Sequence, residues 1–155
     1  MSDQRHIFLE FSSVLTGYST LELEGTGLVG TYQELLGNVL GPTLTSEFYS
    51  LAGVVVSAVD ADSREQKVRE AFLPSKFWPV LTSLIWLWYL GAWTQLPDSW
   101  YAATGLPVPV PGDPGSTHTP SELAYIEQLS YRTAEAHTPG AKPTGFASWG
   151  MAPVQ

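Results

Sequence analysis

The segment Gly25-Thr-Gly27-Leu-Val-Gly30 has the glycine spacing of a loop that cradles the pyrophosphate of a dinucleotide. That chemistry needs a buried strand before the first glycine and a helix after the last, so that free backbone N–H groups meet the phosphates. The preceding Leu21-Glu22-Leu23-Glu24 is half charged and makes a poor central strand, and nothing downstream supplies the rest of a parallel sheet. The preferred reading is a glycine-rich helix start that lets another backbone approach. Asp60-Ala-Asp62 with Glu65 has the beginnings of a calcium loop. It lacks the glycine at the sixth position and the bidentate glutamate at the twelfth, and reads as a solvated loop. His6, His118 and His137 are isolated, and no two have metal-ligand spacing on one helix. The chain has no cysteine, which excludes disulfides, thiolate metal sites and a cysteine nucleophile. It has no Gly-x-Ser-x-Gly elbow. No carboxylate sits in a segment patterned like a pocket wall. Catalytic, cofactor-binding and metal-ligating residues are therefore expected to be none in this chain, which is read as a non-enzyme.

The remaining residues with something to do are aromatic. Aromatics make up 12% of the 155 residues, six of them tryptophan, while charged residues make up only 14%. The charged share of an average soluble domain is roughly 25%. So few charges leave too little polar surface to cover the apolar one, which implies a partner. The formal net charge of -8 repels phosphate backbones, so nucleic acid is excluded as that partner. The aromatics concentrate at residues 85–93, which are apolar all round when drawn as a helix. Leu81, Leu84, Ile85 and Trp88 share one face; Trp86, Tyr89 and Trp93 share a second, with Leu87 and Leu90 between them. A helix on the surface of a domain shows one apolar stripe, whereas one apolar on all sides is covered on all sides. The first face is expected to close this chain's own core and the second to meet the partner, an assignment the sequence alone leaves open.

The elements that position these residues follow from pattern. Ile7, Phe8, Phe11, Val14 and Leu15 predict a short helix over residues 7–15, stopped by Gly17. Leu28, Leu35, Leu36 and Val39 predict a second over about 26–38, closed by Gly41-Pro42. Thr45 or Ser46 caps a third, carrying Phe48, Leu51, Ala52, Val55 and Val59. The polar stretch 60–70 reads as a loop or frayed helix. Ser75 caps a fourth helix, with Pro79 tolerated in its first turn. Three prolines precede Pro97, and nine lie from Pro97 onward. The chain is thus divided into a helical domain, residues 1–96, and an extended arm, residues 97–155, with one helix at about 121–135 capped by Ser121. The expected fold class is mainly α: a small helical bundle with a long Pro/Gly-rich C-terminal arm that wraps a partner subunit. The apolar run 80–93, interrupted by Thr82, Ser83 and Gly91, falls short of the roughly 20 residues of a membrane span. No direct membrane span is read.

Several segments together resemble a known family. Phe8-Leu-Glu-Phe-Ser-Ser-Val-Leu-Thr-Gly17 followed by Leu21-Glu-Leu23 is similar to the opening of the mature small subunit of FAD-dependent sugar and polyol dehydrogenases, the sorbitol, fructose and glucose dehydrogenase group. Ile85-Trp-Leu-Trp-Tyr-Leu-Gly91 resembles that family's helix with a Trp-Tyr-x-Gly core. Residues 125–131, then Gly145-Phe-Ala-Ser-Trp149 and Pro153, resemble its C-terminal helix and aromatic tail. The matches run in the family's order along nearly the whole chain. The resemblance implies a cofactor-free subunit that stabilises and solubilises a large catalytic subunit of the glucose–methanol–choline type. That subunit carries FAD and often an iron–sulfur cluster, and a cytochrome c subunit takes its electrons onward. The family's small subunit brings a twin-arginine leader. None is seen here, so the expected compartment is the cytoplasm for the chain as it stands and the periplasm if a leader was removed. The cysteine that some relatives carry before the aromatic tail is also missing.

The expected partner interface is Trp86, Trp88, Tyr89 and Trp93 on the helix, with Trp100, Tyr101, Tyr125, Phe146 and Trp149 on the arm. Aromatic anchors of this kind dominate interface energetics. An alternative from another class is a stand-alone helical binding protein that uses an aromatic groove for an apolar ligand or partner.

Overall fold

The computed structural model describes residues 2–134. Phe146 and Trp149, expected to anchor the arm, lie outside the described residues. The architecture is mainly helical, in the order α1 (Ser2–Thr16), α2 (Thr20–Gly25), α3 (Val29–Val56), α4 (Ala61–Phe72), α5 (Trp78–Leu90), α6 (Asp98–Thr104), α7 (Glu122–Ile126) and α8 (Leu129–Thr133). No strand occurs among the described residues; one isolated antiparallel bridge joins Trp93 to His118.

Local chemistry sets each boundary. Gly17 ends α1 at a φ of 77°, which a residue with a Cβ adopts only under strain. Ser19 opens α2 with a reciprocal capping box: its hydroxyl accepts from the Glu22 N–H, and the Glu22 carboxylate accepts from the Ser19 N–H. The stretch weighed as a strand before Gly25 is therefore helical. A dinucleotide loop loses the strand it requires, and the glycines join two helices instead. The second and third expected helices form one element, α3, broken inside by Gly41 at φ 73° and ψ 170°, with Pro42 next. By length and composition α3 is apolar enough to cross a membrane. The break at Gly41 leaves two pieces that are each shorter than the roughly 20 residues a span needs. Both pieces supply the core, through Tyr32, Leu35, Leu36, Phe48, Ala52 and Val55.

The stretch 60–70, expected as a loop or frayed helix, is the ordered helix α4. Asp60 caps it by accepting from the Ser63 N–H at 2.8 Å, and Val68 and Phe72 are its buried residues. Asp60 thus serves as a helix cap, and no group of three or more metal-ligating side chains is assembled among the described residues. The single helix expected over 121–135 is two short ones. Ser121 caps the first as expected, accepting from Ala124 N–H, and the chain turns at Glu127-Gln128 before the second.

Phe11, Phe48, Phe72 and Phe77 form the aromatic centre of the core, with ring centroids 5.0 to 5.7 Å apart. The core does not stop at the composition change near Pro97. One apolar cluster runs from Phe8 through Trp88 and Trp93 to Trp100, Tyr101, Ala124 and Leu129. The Pro-rich stretch after Gly105 folds back over the α3 break, where Leu106, Pro107 and Pro109 face Asn38, Val39 and Gly41 across a cavity of about 240 Å³. The described part of the supposed arm, residues 97–134, is thus part of the helical body.

Candidate protein-docking face

Helix α5 is the element around which the site is built. It contains no charged residue, and Pro79 stands in its first turn, where a missing N–H costs nothing. Gly91 ends it in the left-handed conformation at φ 69°. A Cβ on Gly91 would lie 2.2 Å from the carbonyl oxygen of Ala124, so only glycine lets α7 pack against this end of α5. Val80, Leu81, Ser83, Leu84, Leu87 and Trp88 are buried. At 100° per residue these positions fill one continuous arc of the helix. The opposite arc carries Trp78, Thr82, Ile85, Trp86, Tyr89 and Leu90, with Trp78 at 39%, Trp86 at 47% and Leu90 at 46% exposure. This is a contiguous surface strip with no charge and two large indoles.

The anchors expected from sequence divide sharply. Trp86 lies on the strip. Tyr89 is half-buried at its edge: its hydroxyl donates to the Thr16 carbonyl at 2.7 Å, and its ring packs against Tyr18. Tyr125 is 51% exposed and borders an open cleft of about 630 Å³ with Thr119, Ser121, Glu122 and Ile126. The neighbouring Tyr125 side chain raises the Tyr131 phenol above its ordinary pKa. Trp88, at 1% exposure, is a correction to the expected interface: it stands edge-on to Tyr32, centroids 4.7 Å apart, in the centre of the core. Trp93, expected beside Trp86 and Tyr89, is a second correction. The helix has already ended at Gly91, so Trp93 does not keep helical phase. Its backbone pairs both ways with His118, and its indole N–H donates to Gly115 O at 3.2 Å.

Trp100 and Tyr101 are likewise buried against their own chain. The Trp100 indole N–H donates to Lys76 O at 2.9 Å, and its ring stands edge-on to Tyr101. Trp88, Trp93, Trp100 and Tyr101 are all buried within their own chain, Tyr101 lining the cavity at the α3 break. Conversely, Trp78 and Leu90 belong to the strip and were not among the expected anchors. Helical phase carried the signal: Trp78, Thr82, Trp86 and Leu90 follow one another at four-residue steps. The sequence could not choose that arc, because the arc opposite is just as apolar.

No protein-family model, no curated protein and no solved structure matches the chain.

Proposed function

We propose that this chain is a non-catalytic small subunit that stabilises and solubilises the FAD-containing subunit of an alcohol or sugar dehydrogenase complex. The observation that carries the docking part is the uncharged outer arc of α5, with Trp78, Trp86 and Leu90 between 39% and 47% exposed. Tryptophan is enriched among binding hot spots, and a row of exposed apolar side chains invites self-association unless it is covered. The choice of partner rests on the ordered sequence resemblance. The flavin, any iron–sulfur cluster and any cytochrome belong to the partner subunits in this reading; this chain contributes surface and no chemistry. Of the expected anchors, Trp86 and Tyr89 belong to the α5 strip with Trp78 and Leu90, and Tyr125 is exposed on α7.

The test is expression of an FAD-containing large subunit of the glucose–methanol–choline type with and without this chain. Soluble, flavin-loaded large subunit should depend on the small one, and Trp86→Ser with Leu90→Ser should lower its yield while leaving the fold of this chain intact. A large subunit that is soluble and fully active alone would remove the basis of the proposal.

A further inference from the structure

The last described residues lie beside the outer arc of α5. Helix α8 packs against α5, and its Thr133 hydroxyl is hydrogen-bonded to the Tyr18 hydroxyl at 2.9 Å. The Tyr18 ring in turn stands against Tyr89, centroids 6.3 Å apart, at the edge of that arc. Ala134, the last described residue, follows Thr133 directly. The chain therefore leaves its helical body next to the α5 strip.

The residues that follow match the strip in chemistry. Residues 143–155 contain no Asp, Glu, Lys, Arg or His, and they include Phe146, Trp149, Met151 and Val154. The strip is equally uncharged, and it holds Trp78 and Trp86, the two exposed tryptophans among the described residues. Reach is sufficient. The 11 residues 135–145 let Phe146 lie anywhere within roughly 40 Å of Ala134 at about 3.3 Å per residue, whereas the 13 residues of α5 are only about 20 Å long. A tether of that length holds the segment near the strip at an effective concentration on the order of 1 mM. A contact with a dissociation constant of about 1 mM in free solution then covers the strip half of the time.

We propose that in the free chain the outer arc of α5 is covered by the chain's own segment 145–154, with Phe146 and Trp149 seated on Trp86, Tyr89 and Leu90. The inference goes beyond the subunit reading and does not depend on it. Combined with that reading, the segment holds the place of the partner: a large subunit must displace it, and the apparent affinity is scaled down to the fraction of chains left uncovered. A second copy offers the same segment only at its bulk concentration, which in a micromolar solution is far below the tethered value.

The experiment is paramagnetic broadening in the free, full-length chain. The chain has no cysteine, so Ser148→Cys gives a single site for a nitroxide and keeps both aromatic anchors. The indole N–H signals of Trp78 and Trp86 should lose most of their intensity and recover it when the nitroxide is reduced. Signals from α4, which packs against α1 and α3, should keep theirs. Phe146→Ser in the labelled chain should restore most of the lost intensity, and Trp86→Ser with Leu90→Ser should restore the signal of Trp78. Equal melting temperatures confirm that the variants are folded. No loss at Trp78 and Trp86, an equal loss across α4, or no recovery in Phe146→Ser overturns the inference. A mixture of nitrogen-15 chain without nitroxide and labelled chain without nitrogen-15 should show no loss; a loss as large as within one chain means that a second copy supplies the cover, and overturns it too. The large subunit is absent from these samples, so the subunit reading stands or falls by its own expression test.

Discussion

Replacing Gly91 by alanine separates two costs that usually arrive together. Gly91 has a φ of 69° and Gly105 a φ of 77°, and each ends a helix in the left-handed region. Moving a residue with a Cβ into that region costs about 1–2 kcal/mol. The surroundings differ. A Cβ on Gly105 meets nothing within 4 Å, whereas a Cβ on Gly91 lies 2.2 Å from Ala124 O and 2.8 Å from Ala124 C. The obstacle is backbone, so α7 as a whole must move by about an ångström. Overpacking a tight contact adds about 1–3 kcal/mol. Gly105→Ala is thus expected to destabilise by about 1–2 kcal/mol and Gly91→Ala by about 2–5 kcal/mol. Denaturant unfolding followed by circular dichroism gives both values. Limited proteolysis should also cut Gly91→Ala earlier around α7, because Ala124 and Leu129 lose their place in the core. Equal destabilisation of the two variants, with no change in cleavage, would refute the claim that Gly91 is needed for the seating of α7.

The two tryptophans of α5 should behave oppositely. Trp88→Ala removes a fully buried ring and is expected to cost about 3–5 kcal/mol of stability, whereas Trp86→Ala should leave the melting temperature within a few degrees and reduce dye binding to exposed apolar surface. Acid stability should depend on two helix caps. The Ser19 N–H beside Glu22 and the Ser63 N–H beside Asp60 hold both carboxyls below their ordinary pKa. Because the folded values are depressed, this stability is present at neutral pH and is lost as pH falls through the folded pKa. Asp60→Asn keeps the cap, since asparagine caps as well as aspartate, and should flatten that part of the acid unfolding curve. At the alkaline end, burial pushes the Tyr49 phenol up to about 12 and the Tyr32 phenol higher still. A raised folded pKa leaves stability intact below the ordinary tyrosine value of about 10 and erodes it above. Phenolate absorbance should therefore show Tyr32 and Tyr49 ionising only as the chain unfolds, and Tyr32→Phe should extend alkaline stability.

Much of the fold was legible because its signals are local. Glycine at 17, 41 and 91 and the caps at Ser121 and Asp60 act within a few residues, and each marks a helix end or, at Gly41, a break within α3. In the sequence Asp60 also fits loop chemistry, since a capping aspartate and a solvated one look alike when the helix behind it is rich in charge. The Ser19-x-x-Glu22 box is equally present in the sequence, but Leu21-Glu22-Leu23-Glu24 also alternates like a strand, so local pattern alone does not choose between them.

The mainly helical class, the missing thiol chemistry and the surplus of apolar over charged surface were determined by the sequence alone, because composition and short-range pattern do not depend on what lies far along the chain. The direction in which α5 faces was not. Every position on that helix is apolar or uncharged, so its own residues give no phase. The phase is decided by contacts from distant residues: Tyr32 against Trp88, Thr16 against Tyr89, and Ala124 against Gly91. For the same reason the Pro-rich composition after Pro97 suggested an arm. Only the burial of Trp100, Tyr101 and Leu129 in the common core decided that the chain through residue 134 belongs to the body.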